Sequence, residues 1–210
     1  MVRVNGSVLS ILFVSSSLFL MACAPSNGSS SGGGSSVQAT SKSIYAGTWV
    51  KPCVAAGANS SGRQKLIVTD TTVEIVSENF ATAGCSGGSL VDAIASADYV
   101  MRPDVSLPSD VKAMDLTVRK LVMVSRNSLV TAKLNTDAFC GFTDWETNRE
   151  KDMIGTSCAG TADIAAGTVS YTSIRLVNNM LYLAKTNGPD SGKSEATRET
   201  EAETTGFMKE

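Results

Sequence analysis

Residues 66–75 read LIVTDTTVEI. Leu66 and Val68 precede the polar tetrad TDTT, Val73 and Ile75 follow it, and on both sides these apolar residues recur at every second position. A period of two belongs to a strand with one buried face, and a Thr/Asp-rich break between two such runs predicts a hairpin.

The same period runs through the chain beyond Ser43. From 93 to 101, Ala93, Ala95, Ala97, Tyr99 and Met101 share one face, while Ile94, Ser96, Asp98 and Val100 share the other. Small residues along one face suit a tightly curved interior. Met114, Leu116 and Val118 alternate with Asp115, Thr117 and Arg119, and LVTAKL at 129–134 follows the break RNS. In TVSYTSIRLVNNMLYLA at 168–184, Asn178-Asn179 sits between two β-rich runs as a two-residue hairpin turn. The expected strands are 47–54, 63–69, 72–80, 91–102, 113–124, 128–135, 167–177 and 180–185, with a short one at 206–209. No stretch after Ser43 holds a helical period for more than two turns. Successive antiparallel strands favour an all-β fold, a single up-and-down barrel of about eight strands, because closure removes exposed edges. A two-sheet sandwich is the alternative.

The amino-terminal region has a different logic. A basic tip with Arg3 leads into an apolar run from Val8 to Ala22, followed by Cys23. This is the layout of a secretory signal. As a helix the run would reach only about 22 Å, short of the roughly 30 Å hydrocarbon core. From Ser26 to Ser43 the composition is mostly Ser and Gly, which cannot collapse on a core. The expected organisation is a signal peptide over 1–22, a flexible tether over 23–43 with a reach of roughly 25 Å, and a folded domain over 44–210.

Leu20-Met21-Ala22-Cys23 resembles the lipobox of bacterial lipoproteins. The resemblance implies cleavage before Cys23, a diacylglycerol on its thiol and an acyl chain on the freed amine. Three chains exceed the two signals that stable anchoring requires. Ala24, rather than Asp, follows the cysteine, and the family's sorting habit then implies the outer membrane of a bacterial cell envelope.

Lipidation also accounts for cysteine parity. The chain has five cysteines, and an odd number in an exported protein needs a reason. With Cys23 consumed, Cys53, Cys85, Cys140 and Cys158 form an even set, read as two disulfides in an oxidising compartment. Of the three connectivities, Cys53–Cys85 with Cys140–Cys158 is favoured because each pair brackets a plausible local unit. Zinc is the rival reading, and it lacks both a CxxC and any histidine.

Tyr45-Ala46-Gly47-Thr48-Trp49 resembles the G-x-W of lipocalins and related calycin barrels, where the Trp plugs one end of the barrel. A glycine permits close backbone approach, and a large aromatic fills a wide end. Thr143-Asp144-Trp145 is similar to the family's second element. The arginine that covers the family's Trp has Arg198 as its candidate here, Lys209 being of the wrong residue type. The resemblance implies a carrier of a small apolar ligand. Smaller barrels of the same superfamily inhibit secreted proteases and lysozyme, which implies a protein-binding alternative.

Catalytic readings find little to stand on. With 18 basic and 20 acidic residues the net charge is −2, and nothing attracts nucleic acid. The absence of histidine removes the commonest general base. Ser109-Asp110-Val111-Lys112 matches S-x-x-K by spacing alone. Gly188 to Ser194 spells G-x3-G-K-S, one residue short of a P-loop, so no nucleotide is expected. Asp144 with Glu146, Glu150 with Asp152, and Glu195, Glu199, Glu201 and Glu203 read as solvated charges rather than glycosidase pairs or a calcium site. No enzyme, cofactor or metal is expected. The segment 140–158 carries Phe142, Trp145, Arg149 and Lys151 between two cysteines, and aromatic and Arg side chains are the usual interface anchors. Packing of Phe142 and Trp145 as a lid over the barrel mouth is the structural alternative. The binding candidates are therefore Trp49, Phe142, Trp145 and Arg149, with either a small apolar molecule or a protein as partner.

Overall fold

The hydroxyl of Thr69 organises the hairpin around TDTT. It accepts from the amide of Thr72 at 2.9 Å, and the Thr69 amide bonds the Thr72 carbonyl at 2.9 Å, so TDTT closes a turn between two strands. This is seen in a computed structural model, which describes residues 44–103, 107–158, 163–187 and 190–210. The expected signal peptide, Cys23, the tether, and Gly188 and Pro189 lie outside the described residues.

The strands in chain order are β1 (Gly47–Val50), β2 (Val54–Gly57), β3 (Ser60–Val68), β4 (Thr72–Phe80), β5 (Val91–Arg102), β6 (Val111–Ser125), β7 (Glu150–Asp152), β8 (Val169–Val177), β9 (Met180–Leu183) and β10 (Phe207–Lys209). Eight of them close a ring through the antiparallel order β1-β10-β9-β8-β6-β5-β4-β3, with β3 returning to β1. The barrel is thus up-and-down. Strands β2 and β7 are additions, paired to β3 and β6 respectively.

Two local signals behave as their chemistry requires. Asn178 and Asn179 have φ of 50° and 59°, the doubly left-handed pair of a type I′ turn, and Val177 faces Met180 across it. The expected strand 47–54 breaks in two at Pro52-Cys53, where proline supplies no amide to a ladder. Only Val54 of the expected strand re-enters the sheet, as the first residue of β2.

One expected strand is wrong. Residues 128–135 form part of a helix, α1 (Ser128–Thr136). Asn127 has extended dihedrals and its side chain accepts from the amides of Leu129 and Val130 at 2.9 and 3.3 Å, which caps the helix start. Thr131 and Leu134 are its buried residues, and Lys133 pairs with Asp137 one turn on, so the spacing is helical. The strand that completes the ring is instead β10, bonded to β1 on one side and β9 on the other.

Register fixes what points inward. Trp49 faces Leu66, Leu66 faces Ile75, and Ile75 faces Ala95, so all four share the inner face. Every barrel strand contributes a side chain no more than 5% exposed: Trp49, Leu66, Ile75, Ala97, Leu116, Ile174, Leu181 and Phe207. The small face of β5 lines this interior as expected. The disulfides are Cys53–Cys85 and Cys140–Cys158, with Cα separations of 5.9 and 4.8 Å. Loops of these lengths contribute about 3 to 4 kcal/mol each in the chain-entropy account. Among the described residues no helix is long and apolar enough to cross a membrane.

The G-x-W stretch has a specific geometry. Gly47 sits at φ +136°, and a Cβ there would lie 2.9 Å from Cε of Lys209. That lysine stem runs over Trp49, its Nζ 5.1 Å from the ring centroid, while the indole N–H donates to the Tyr45 carbonyl at 2.7 Å. Gly47→Ala should therefore lower stability by about 1 to 3 kcal/mol through backbone strain and the clash. Urea unfolding checks this, and adding Lys209→Ala should recover only the part due to the clash.

Candidate functional site

Among the described residues, three regions combine polar groups with shape. The first surrounds Trp49 in the barrel core. The cation over Trp49 comes from Lys209, and not from Arg198, the sequence candidate. Arg198 instead stacks near Tyr171, pairs with Asp115 at 2.7 Å and donates to the carbonyls of Met114 and Thr172. Trp49 is itself buried in the core, so it presents no surface to a partner.

The second region is the insertion between β6 and β8. Strand β8 pairs β6 only over Val111–Thr117, and further along β7 takes its place at Val122–Val124. There Leu121 faces Ala95, so the inner face of the barrel continues past the end of β8. Leu134, Phe139, Trp145, Met153 and Cys158 pack on Leu121 and Met123 of that face. The insertion covers it as a lid, the arrangement set against an exposed anchor above. Asn135 clamps the Trp145 backbone from both sides, its Nδ2 donating to the carbonyl at 3.0 Å and its Oδ1 accepting from the amide at 2.6 Å. The ring stands edge-on to Phe142 at 6.1 Å and tilted to Phe139 at 6.0 Å.

The sequence candidates in this segment therefore separate. Trp145 is 3% exposed and belongs to the core of the lid. Phe142 is half-buried, with the Lys151 ammonium 4.3 Å over its ring. Arg149 is exposed and pairs with Glu146. Lys151 also holds Asp144, and its hydrogen bond keeps the Asp144 carboxyl below the usual carboxylate range. The carboxylates weighed as catalytic pairs all have partners: Glu150 bonds Lys120 at 2.6 Å, and Asp152 accepts from the amide of Ile154 at 2.9 Å. A shallow pocket of about 340 Å³ lies among Phe142, Asp144, Arg149 and Lys151.

The third region joins β1, β2 and the approach to β10. A cleft of about 460 Å³ is bounded by Lys51, β2, Arg63, Gln64 and residues 203–205. At its floor the Lys51 ammonium pairs with Glu203 and lies 4.7 Å over the Phe207 ring. Sequence reading misses this cleft because it is assembled from residues about 150 positions apart, for which no local pattern exists. Among the described residues no cluster of three or more metal-ligating side chains occurs.

Glu199 stands apart from the other C-terminal carboxylates. It is buried, and its oxygens accept from the hydroxyls of Thr172 at 3.2 Å and Ser191 at 3.0 Å, with Thr186 as a further partner. Burial pushes its pKa above the ordinary glutamate value, and these hydrogen bonds only partly oppose that. The solvated reading holds for Glu195 and Glu201, which are mostly exposed, and not for Glu199 or for Glu203, whose side chain is largely buried against Lys51.

Two predictions follow from these placements. Trp145→Ala should destabilise the protein by about 3 to 5 kcal/mol, as expected for emptying a buried aromatic site, measured by chemical denaturation. The Glu199 carboxyl favours folding at acid pH, where it is neutral in both states. As pH rises past the ordinary glutamate value the unfolded chain ionises first, so stability should fall until the folded group ionises too. Glu199→Gln should flatten that decline in melting temperature against pH. No protein-family model matches the chain, and no curated protein matches it at a significant level.

Proposed function

We propose that this chain is a non-catalytic lipoprotein of a bacterial outer membrane, anchored through Cys23, that binds another protein on the outside of its barrel. An eight-stranded barrel is also compatible with lipocalin-like carriage of a small apolar molecule, and the choice turns on the interior. The observation that carries the protein-binding reading is the girth of eight buried side chains, one from each barrel strand. A ligand cavity beside them would leave accessible area on its walls, and these residues have almost none. Recognition then falls to the outer surface, where loops on a rigid scaffold commonly bind.

The insertion offers Arg149 and part of Phe142 to a partner, and a secreted hydrolase is the partner class suggested by the resemblance to small inhibitor barrels. Two disulfides are in keeping with an oxidising envelope compartment. The lipobox-like sequence and the Gly/Ser stretch after it support a tethered domain.

Metabolic labelling with an alkynyl fatty acid should mark the protein, and Cys23→Ala should lose the label and leave the membrane fraction. Native mass spectrometry of the purified lipoprotein should find the acylated polypeptide alone. A retained apolar molecule would return the carrier reading. A photo-reactive residue at position 149 should trap a protein partner in living cells.

A further inference from the structure

Strand β2 is an edge with no guard. It pairs with β3 over Val54, Ala55 and Gly57, and among the described residues nothing pairs with its other side. The ring explains why. Both β1 and β2 lie along β3, and β1 has β10 on its far side through Trp49 facing Lys209 and Val50 facing Met208. The chain before β10 does not continue beside β2. It turns to β9, with the Glu203 amide on the Leu183 carbonyl and Ala202 bridging Ala184. The 460 Å³ cleft is what this divergence leaves between β2 and residues 203–205.

The other edge shows what protection looks like. Strand β7 reads Glu150-Lys151-Asp152, charged at every position, the usual device against pairing with a foreign strand. Strand β2 reads VAAG, carries no charge and leaves Val54 59% exposed. An uncharged edge facing a cleft is the geometry of strand addition, in which main-chain hydrogen bonds supply affinity and alternate side chains supply selectivity.

The cleft also has a charge preference. Its walls carry Lys51, Arg63 and Lys185 against Glu203, a surplus of two positive charges on a chain of net charge −2. The Lys51 and Glu203 charges are matched to each other, and Arg63 and Lys185 are the further cations of the lining. Arg63 shares Glu78 at 2.7 Å, and Lys185 is about half exposed with Glu201 at 3.8 Å. A second copy of β2 would bring the same cations together. The chain's own residues 24–43 contain no Asp or Glu and one Lys. Neither fits as well as an acidic strand from elsewhere.

We infer that β2 and its cleft form a docking slot for an extended acidic segment of a partner protein, which adds as a further strand beside Val54 to Gly57. This deepens the protein-binding reading and rests on it.

The test begins with a random library of 12-residue peptides displayed on phage and selected on the full-length lipoprotein in detergent. Enriched peptides should alternate β-branched with acidic residues and lack internal proline. The best of them, as a synthetic fluorescent peptide, should slow hydrogen exchange at the amides of 54–57. Val54→Lys with Ala55→Lys should weaken it at least tenfold with melting temperature held within a few degrees. Lys185→Glu, which leaves the edge untouched, should also weaken it severalfold. Several results would overturn the inference: no enrichment, enrichment without acidic residues, or binding indifferent to these variants. A concentration-dependent dimer abolished by the edge lysines would do so too, since β2 would then serve a second copy. If position 149 still traps a partner in cells while the slot fails, protein binding survives alone. If neither position 149 nor position 54 traps one, both readings fall.

Discussion

The barrel depends on a strand of four residues that is bonded on both sides. Strand β1 meets β3 at Gly47 to Val50 and β10 at Trp49 and Val50, so it joins the last strand of the ring to the meander that begins at β3. So short a strand supplies few hydrogen bonds, and its hold comes largely from Trp49. An aromatic of that size removes roughly 150 to 250 Å² from water, of order 4 to 6 kcal/mol of transfer free energy. Its indole N–H is satisfied locally by Tyr45, and Lys209 reaches it only because Gly47 has no side chain. Closure, the burial of Trp49 and the positive-φ glycine are thus one constraint.

Much of this was legible because it is local. The alternation across TDTT, the Asn-Asn turn and the small inner face of β5 each depend on neighbours within a dozen residues, and each is found in place. The pairing of Cys53 with Cys85 and of Cys140 with Cys158 was legible as proximity along the chain. Where the reading failed, two local signals competed. LVTAKL has β-branched residues, yet Asn127 caps a helix directly before it and Lys133 pairs with Asp137 at helical spacing. The cap is the signal that decides, because it satisfies amides a strand would have left to a neighbour.

Other features were beyond any local reading. Lys209 fills a role the resemblance assigns to arginine, and only the pairing of β10 with β1 brings it to Trp49. Trp145 looks like an interface anchor when its neighbours are charged and its segment is long. Its burial follows from β8 leaving β6 early, which opens an inner face that something apolar must cover. A sequence holds no record of where a partner strand stops. The cleft beside β2 is hidden for the same reason, being the place where one strand ends and its neighbour turns elsewhere.

The segment 190–199 shows how the barrel manages an edge it cannot pair. Strand β9 bonds β8 only over Ile174–Val177, and beyond that the amide of Tyr171 goes to the Gly192 carbonyl while its own carbonyl takes the Glu199 amide. Covering the edge this way drives two adjacent polar side chains inside. They are met differently: Arg198 has Asp115 and two carbonyls as partners, whereas Glu199 meets only hydroxyls and has its pKa raised. A buried charge without a counter-charge is far costlier than a buried neutral acid with donors. One ion pair and one acid favouring neutrality let a polar loop seal β8, and among the described residues β2 remains an edge that neither a loop nor its own charges close.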